Sequence, residues 1–147
     1  MGRAALATVV VSASLLASCV APARTTASYE GKAADTADAV VSASRTVLVA
    51  VSAARSDGLF APTTAVTIAD AESDASAARD AFTSIQPPDA TSDRIRAQLL
   101  ADVERAIDVI ELVRIAARRA DDVELPRIAA PLRAISGRLD RFASRYG

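Results

Sequence analysis

The sequence predicts an all-α protein: an antiparallel up-down-up-down four-helix bundle whose fourth helix is kinked near Pro131. Three observations predict it. Apolar residues recur at steps of three and four over four separate stretches, the spacing that gathers side chains on one face of a helix. The stretches are joined by connections of a few residues, marked by Gly58 and Pro62, by Pro87-Pro88, and by Asp121-Asp122 with Pro126, and short connections favour antiparallel neighbours. No stretch shows the two-residue alternation of a strand.

The first helix is expected from about Ala33 to Gly58. Ala33, Ala37, Val40, Ser44, Val47, Val51 and Ala54 form its apolar stripe, with Asp35, Asp38, Ser42, Arg45, Ser52 and Arg55 on the other side. Asp35 and Asp38 near the start and Arg55 near the end suit the helix dipole. Gly58 supplies a C-cap that can take positive φ.

Pro62 suits the first turn of a second helix, where a missing N–H is no loss. Ala61, Ala65, Ile68, Ala71, Ala75, Ala78, Phe82 and Ile85 form its stripe, and Asp70, Asp74 and Asp80 its exposed side. A stripe of alanines allows close approach of a neighbouring helix. The helix cannot pass Pro87-Pro88, because proline removes a donor and disfavours helix in the residue before it.

Asp89, Thr91, Ser92 or Asp93 can cap a third helix. Ile95, Leu99, Val103, Ala106, Ile110, Val113 and Ala117 carry the spacing onward, and Leu100, Ile107, Leu112 and Ile115 widen the stripe. With the most apolar surface, this helix is expected to be the central one. In the fourth, Leu125, Ile128, Leu132, Ile135, Leu139, Phe142 and Tyr146 alternate three and four without a miss, the pattern of a bundle seam. Pro131 falls inside that stripe and should kink the helix or set residues 126–130 apart as a first turn.

The chemistry such a bundle can hold is narrow. The chain has no His, and therefore lacks the usual imidazole base, the usual zinc ligand and the Glu-x-x-His di-iron pattern. Its five glycines stand apart at 2, 31, 58, 137 and 147, so no glycine-rich phosphate loop exists. A formal charge of −1, two Tyr, three Phe and no Trp give neither the basic face nor the stacking aromatics that nucleic acid requires. Neither an enzyme, a metal site nor a cofactor is expected.

Two charged constellations stand out. Asp70, Glu72, Asp74 and Asp80 belong to a stretch from Asp57 to Asp93 with seven carboxylates against Arg79, a net of −6. A solvated acidic face is the expectation, because a cation site needs ligands converging from several elements. From Leu125 to the end, Arg127, Arg133, Arg138, Arg141 and Arg145 stand against Asp140, a net of +4. Arg138, Arg141 and Arg145 share a face. They are candidates for contact with a membrane or a partner, and also for pairing with the acidic second helix.

At the N-terminus a lone Arg3 precedes Ala4–Ala17, 14 residues without charge, and then Leu16-Ala17-Ser18-Cys19. A positive residue, a short apolar core and a small-residue cleavage site come in the order of a secretory signal. A membrane span running on through Val20 and Ala23 would have to accept Thr8, Ser12, Ser14 and Ser18 within about 20 residues. Leu16-Ala17-Ser18-Cys19 resembles the lipobox of bacterial lipoproteins. The resemblance implies a signal peptide over residues 1–18, cleavage between Ser18 and Cys19, and diacylglycerol with palmitate-type chains on Cys19. Two acyl chains anchor a protein stably where one does not. Residues 19–31, with Pro22, Thr25, Thr26, Ser28 and Gly31, would be a flexible tether, and 32–147 the bundle.

Arg outnumbers Lys sixteen to one and alanine and valine abound, the composition of a GC-rich genome. Together with the Pro-Pro break between Ala-rich helices, this resembles small extracytoplasmic helical-bundle lipoproteins of high-GC bacteria. That resemblance implies a fold and a compartment, the extracytoplasmic face of the cell membrane. The function expected is a non-catalytic interaction or structural module in the cell envelope, with an envelope protein as partner. The alternative is a carrier or sensor of a small apolar ligand within the bundle.

Overall fold

The computed structural model describes residues 23–56, 61–121 and 123–147. All regular structure among them is helical: α1 Thr26–Ser56, α2 Ala61–Thr83, α3 Ala90–Arg118, α4 Leu125–Ala129 and α5 Pro131–Tyr146. The lipobox, Gly58 and Asp122 lie outside the described residues. With α4 and α5 taken together as the fourth arm, four helices pack against one another as the periodicity predicts.

α1 starts earlier than its stripe suggests. The Thr25 side chain accepts the Ser28 N–H at 3.1 Å and its carbonyl accepts the Tyr29 N–H at 3.0 Å, so Thr25 does the work of an N-cap. Residues 26–31, expected in the tether, are thus helical, and Tyr29 is wholly buried with its ring 5.2 Å from that of Phe82. Asp35 and Asp38 consequently stand well inside the helix instead of in its first turn, while Arg55 does fall in the last. The expected stripe of α1 is buried from Ala33 to Val51, and Ala54 lies half-buried. The buried Ser44 hydroxyl donates to the Val40 carbonyl at 2.8 Å, which meets its hydrogen-bonding need within the helix.

α2 buries Ile68, Ala71, Ala75 and Phe82. Arg96 of α3 closes its C-terminal end by donating to the carbonyls of Thr83 at 2.8 Å and Ile85 at 2.9 Å, a cation where the helix leaves acceptors free. Asp89 then caps α3, its carboxylate accepting the Ser92 N–H at 2.8 Å. All seven residues of the predicted α3 stripe are buried, as is Ile107. Leu112 is not: it is 55% exposed, because no neighbouring helix covers that edge of the arc.

α3 ends in a Schellman turn, with Ala120 N–H on the Ala117 carbonyl and Asp121 N–H on the Ala116 carbonyl. Ala120 occupies the left-handed position, φ 53°, that glycine usually fills. The Asp121 side chain accepts the Glu124 N–H at 3.2 Å and starts α4. The helix then divides at Ala130, because Pro131 has no N–H to give the preceding turn. Leu125, Leu132, Ile135, Leu139 and Phe142 are buried in the seam on either side of the break.

Pairs between neighbouring arms run in opposite numerical directions: Glu72 with Arg114 and Arg79 with Glu104 across α2 and α3, Arg45 with Asp140 and Ala34 beside Gly147 across α1 and α5. The arms are therefore antiparallel. In cross-section α1 and α3 touch across the short diagonal, and α2 and α5 do not meet. The central position expected for α3 is thus shared with α1. Small residues explain it, since Ala33, Ala37, Ala43, Ser44 and Ala50 let other helices approach α1 over a wide arc. α1 is also long and apolar enough, over Thr26–Arg55, to cross a membrane by length and composition alone. An apolar helix near the N-terminus is compatible with membrane association, and here its apolar face forms the bundle core.

Candidate interaction surface

Among the described residues, four ion pairs hold the arms together. Arg138 meets Asp102 with its Nε at 2.9 and 3.1 Å from the two carboxylate oxygens and an Nη at 2.7 Å. Such two-pronged contacts fix orientation as well as charge, and the Asp102 hydrogen bond raises the Arg138 pKa further. Arg114 joins Glu72 at a half-buried position, Arg79 bridges Asp80 and Glu104, and Arg45 holds Asp140 at 2.9 Å. The Asp89 carboxyl is held below the usual carboxylate range, first by the Thr26 hydroxyl that donates to it and then by the Ser92 N–H. The Tyr29 hydroxyl makes no hydrogen bond of regular geometry, and burial pushes its pKa up against the opposing charge of Arg96.

The predicted constellations land as follows. Asp70 and Asp74 are exposed, and Glu72 and Asp80 are paired with arginines. Among the described residues no three acids or other ligand types converge on a cation position. Arg138, Arg141 and Arg145 do share one face, against α3 and away from α2, so the suggested pairing of the basic strip with the acidic second helix does not form. Arg138 takes Asp102 of α3 instead. Arg141 and Arg145 are exposed and make no ion pair among the described residues. These arginines border a furrow of about 210 Å³ with Gln98, Leu99 and Phe142.

A second, more apolar groove escaped the sequence reading. It runs along α1 from Asp38 to Ala53 and is lined on the other side by Thr63, Thr64 and Thr67 of α2, with a volume of about 640 Å³. Val41, Val49, Ala50 and Ala53 give it an apolar wall, and Val49 is 67% exposed. The signal was there: Val47-Leu48-Val49-Ala50-Val51 is apolar five times running, which is more than one helix face can bury. Just outside the lining, Val66 is also exposed. Exposed clustered apolar surface of this kind marks contact sites more often than single surface residues do. No protein-family model, curated protein or solved structure matches the chain.

Proposed function

We propose that the chain is a lipid-anchored cell-envelope protein, held by lipid on Cys19 at the extracytoplasmic face of the cell membrane. It acts without catalysis, as an interaction or structural module working through its helical surface. The anchor rests on Leu16-Ala17-Ser18-Cys19 following an uncharged apolar run. The observation that carries the surface reading is the exposed groove of Val41, Val49, Ala50 and Ala53 beside the threonines of α2, on a bundle whose interhelical charges are largely paired among themselves. A helical bundle fold hosts many unrelated functions, so what this chain does depends on the surface it presents.

A photo-crosslinking residue placed at Val49 or Thr63 in living cells should capture one discrete envelope protein, and the same residue at the exposed Asp108 of α3 should not. Equal capture from all three positions, or none from the groove, refutes the surface reading. Cys19→Ala should abolish incorporation of a palmitate analogue and leave an uncleaved precursor, and a variant that still takes up label sinks the anchor. The size and apolar lining of the groove also favour a second reading, a carrier of a small apolar ligand held at the surface, since ligand sites span about 300–1,000 Å³. Capture of lipid alone from Val49 would select it.

A further inference from the structure

The flank built by α3 and the C-terminal half of α5 carries one sign of charge. Among the described residues its only lining carboxylate, Asp102, is neutralised by Arg138, and Arg105 approaches the same group at 3.7 Å. The other nearby acids turn elsewhere: Asp140 goes to Arg45 of α1, and Glu104 goes to Arg79 of α2. That leaves Arg141 and Arg145 bordering the furrow with no ion pair among the described residues, opposite the exposed amide side chain of Gln98 and above buried Phe142. Guanidinium groups so placed present N–H forks that match the oxygens of a phosphate.

Topology decides which phosphate. A Cβ on Gly147 would lie 3.5 Å from that of Ala34, so α5 ends beside the opening turns of α1. Arg145 therefore sits on the half of the bundle from which the chain runs back to Cys19, and Arg141, next to the Asp140 that pairs with Arg45, sits near mid-length. Four residue steps separate Cys19 from Ala23, a reach of at most about 14 Å, so an anchored chain holds this end of the bundle at the bilayer, where the flank can lie down on the headgroups. Tethering of that kind raises the effective concentration of headgroups at the furrow far above that of free phosphate.

The geometry points to the α3–α5 furrow as a site for the phosphate-bearing headgroup of an anionic phospholipid in the anchoring membrane. Arg141 and Arg145 contact the phosphate, Gln98 offers a hydrogen-bonding wall, and Asp102 fixes Arg138 at the furrow's edge. The inference rests on the anchored reading proposed above. At about a five-fold gain per basic residue near a charged surface, the two free arginines give about a twenty-five-fold preference for anionic lipid.

The test takes the full chain carrying Cys19→Ala, so that no acyl chain contributes. It is mixed with vesicles of phosphatidylcholine alone, or of phosphatidylcholine and phosphatidylglycerol two to one. Whatever affinity the apolar N-terminus adds is common to both. Arg141→Gln/Arg145→Gln should lose most of the anionic preference at an unchanged melting temperature. Arg118→Gln/Arg119→Gln removes the same charge at the far end of α3 and should keep it. A preference untouched by the furrow variant, or lowered equally by both variants, overturns the site. Palmitate labelling of the unmodified chain reads the anchor separately. A labelled chain without anionic preference overturns the furrow alone, and an unlabelled chain with it overturns the anchor alone.

Discussion

Leu139→Ala measures how much of the bundle the last arm closes. Leu139 is 1% exposed in the seam with Leu132, Ile135 and Phe142. The substitution removes three buried carbons, about 2.4 kcal/mol of transfer free energy, and the cavity left behind brings the expected loss to about 3.5 kcal/mol. For about 125 residues the unfolding entropy is about 0.26 kcal/mol/K, so the melting temperature should fall by about 13 °C. That is a large share of a total stability of about 5–15 kcal/mol. Thermal unfolding followed by circular dichroism reads it. Leu112→Ala serves as the comparison: the same chemical change at a 55% exposed position should shift melting by about 2 °C at most. Equal shifts for the two variants would refute the assignment of α5 to the core. Leu139→Asp, which puts an unpaired carboxylate in the same seam, should leave the domain unfolded.

Three further outcomes follow from the backbone and the caps. Ala120→Gly relieves the left-handed φ of 53° at the end of α3 and should stabilise the protein by about 1 kcal/mol, raising melting by about 4 °C; a lower melting temperature would contradict the strain. Gly137→Ala should do the same by about 1 kcal/mol, because an added Cβ meets only an Arg141 guanidinium nitrogen, at 3.6 Å. Asp89→Asn keeps an oxygen for the Ser92 N–H but gives up the charge. Because the folded-state pKa of Asp89 is lowered, its contribution is present above the ordinary carboxylate range and is lost as pH falls through that range toward the folded value. The stability gap between wild type and Asp89→Asn should therefore close on acidification in denaturant titrations, and a gap that stays constant from neutral to acid pH would refute the role of the charge.

Where large side chains repeat, the sequence was enough. Ile95 to Ala117 and Leu125 to Phe142 read as stripes because long apolar residues have few places to go in water, and the break at Pro131 follows from its missing N–H alone. The start of α1 was harder to see. Thr25, Thr26, Ser28 and Gly31 look like tether composition, and what orders them lies far along the chain: Phe82 against Tyr29, and Asp89 taking the Thr26 hydroxyl. Leu112 shows a related limit, since periodicity gives the width of an apolar arc and not the position of the neighbour that covers it. Centrality was inferred from side-chain size, whereas α1 reaches its place through small residues. The shared face of Arg138, Arg141 and Arg145 was legible from spacing. That Asp102 stands opposite Arg138 depends on the register of α3 against α5, which no local pattern encodes.

The two surfaces occupy opposite edges of the same cross-section. α1 and α2 bound the apolar groove, α3 and α5 bound the basic furrow, and the α1–α3 diagonal separates them. Charge pairing explains why each edge keeps its character. α3 turns Glu104 and Arg114 toward α2, where they find Arg79 and Glu72, and turns Asp102 toward α5, where it finds Arg138. With register fixed by those pairs, the arginines beyond Arg138 meet no acid of α3, and no helix covers Val49, among the described residues. A chain lying with its basic edge on anionic headgroups therefore turns the valine groove away from the bilayer, toward the aqueous side. The arrangement makes a joint demand on experiment: a photo-crosslinker at Gln98 should capture phospholipid, one at Val49 should capture protein, and Arg141→Gln/Arg145→Gln should reduce the first capture while leaving the second in place.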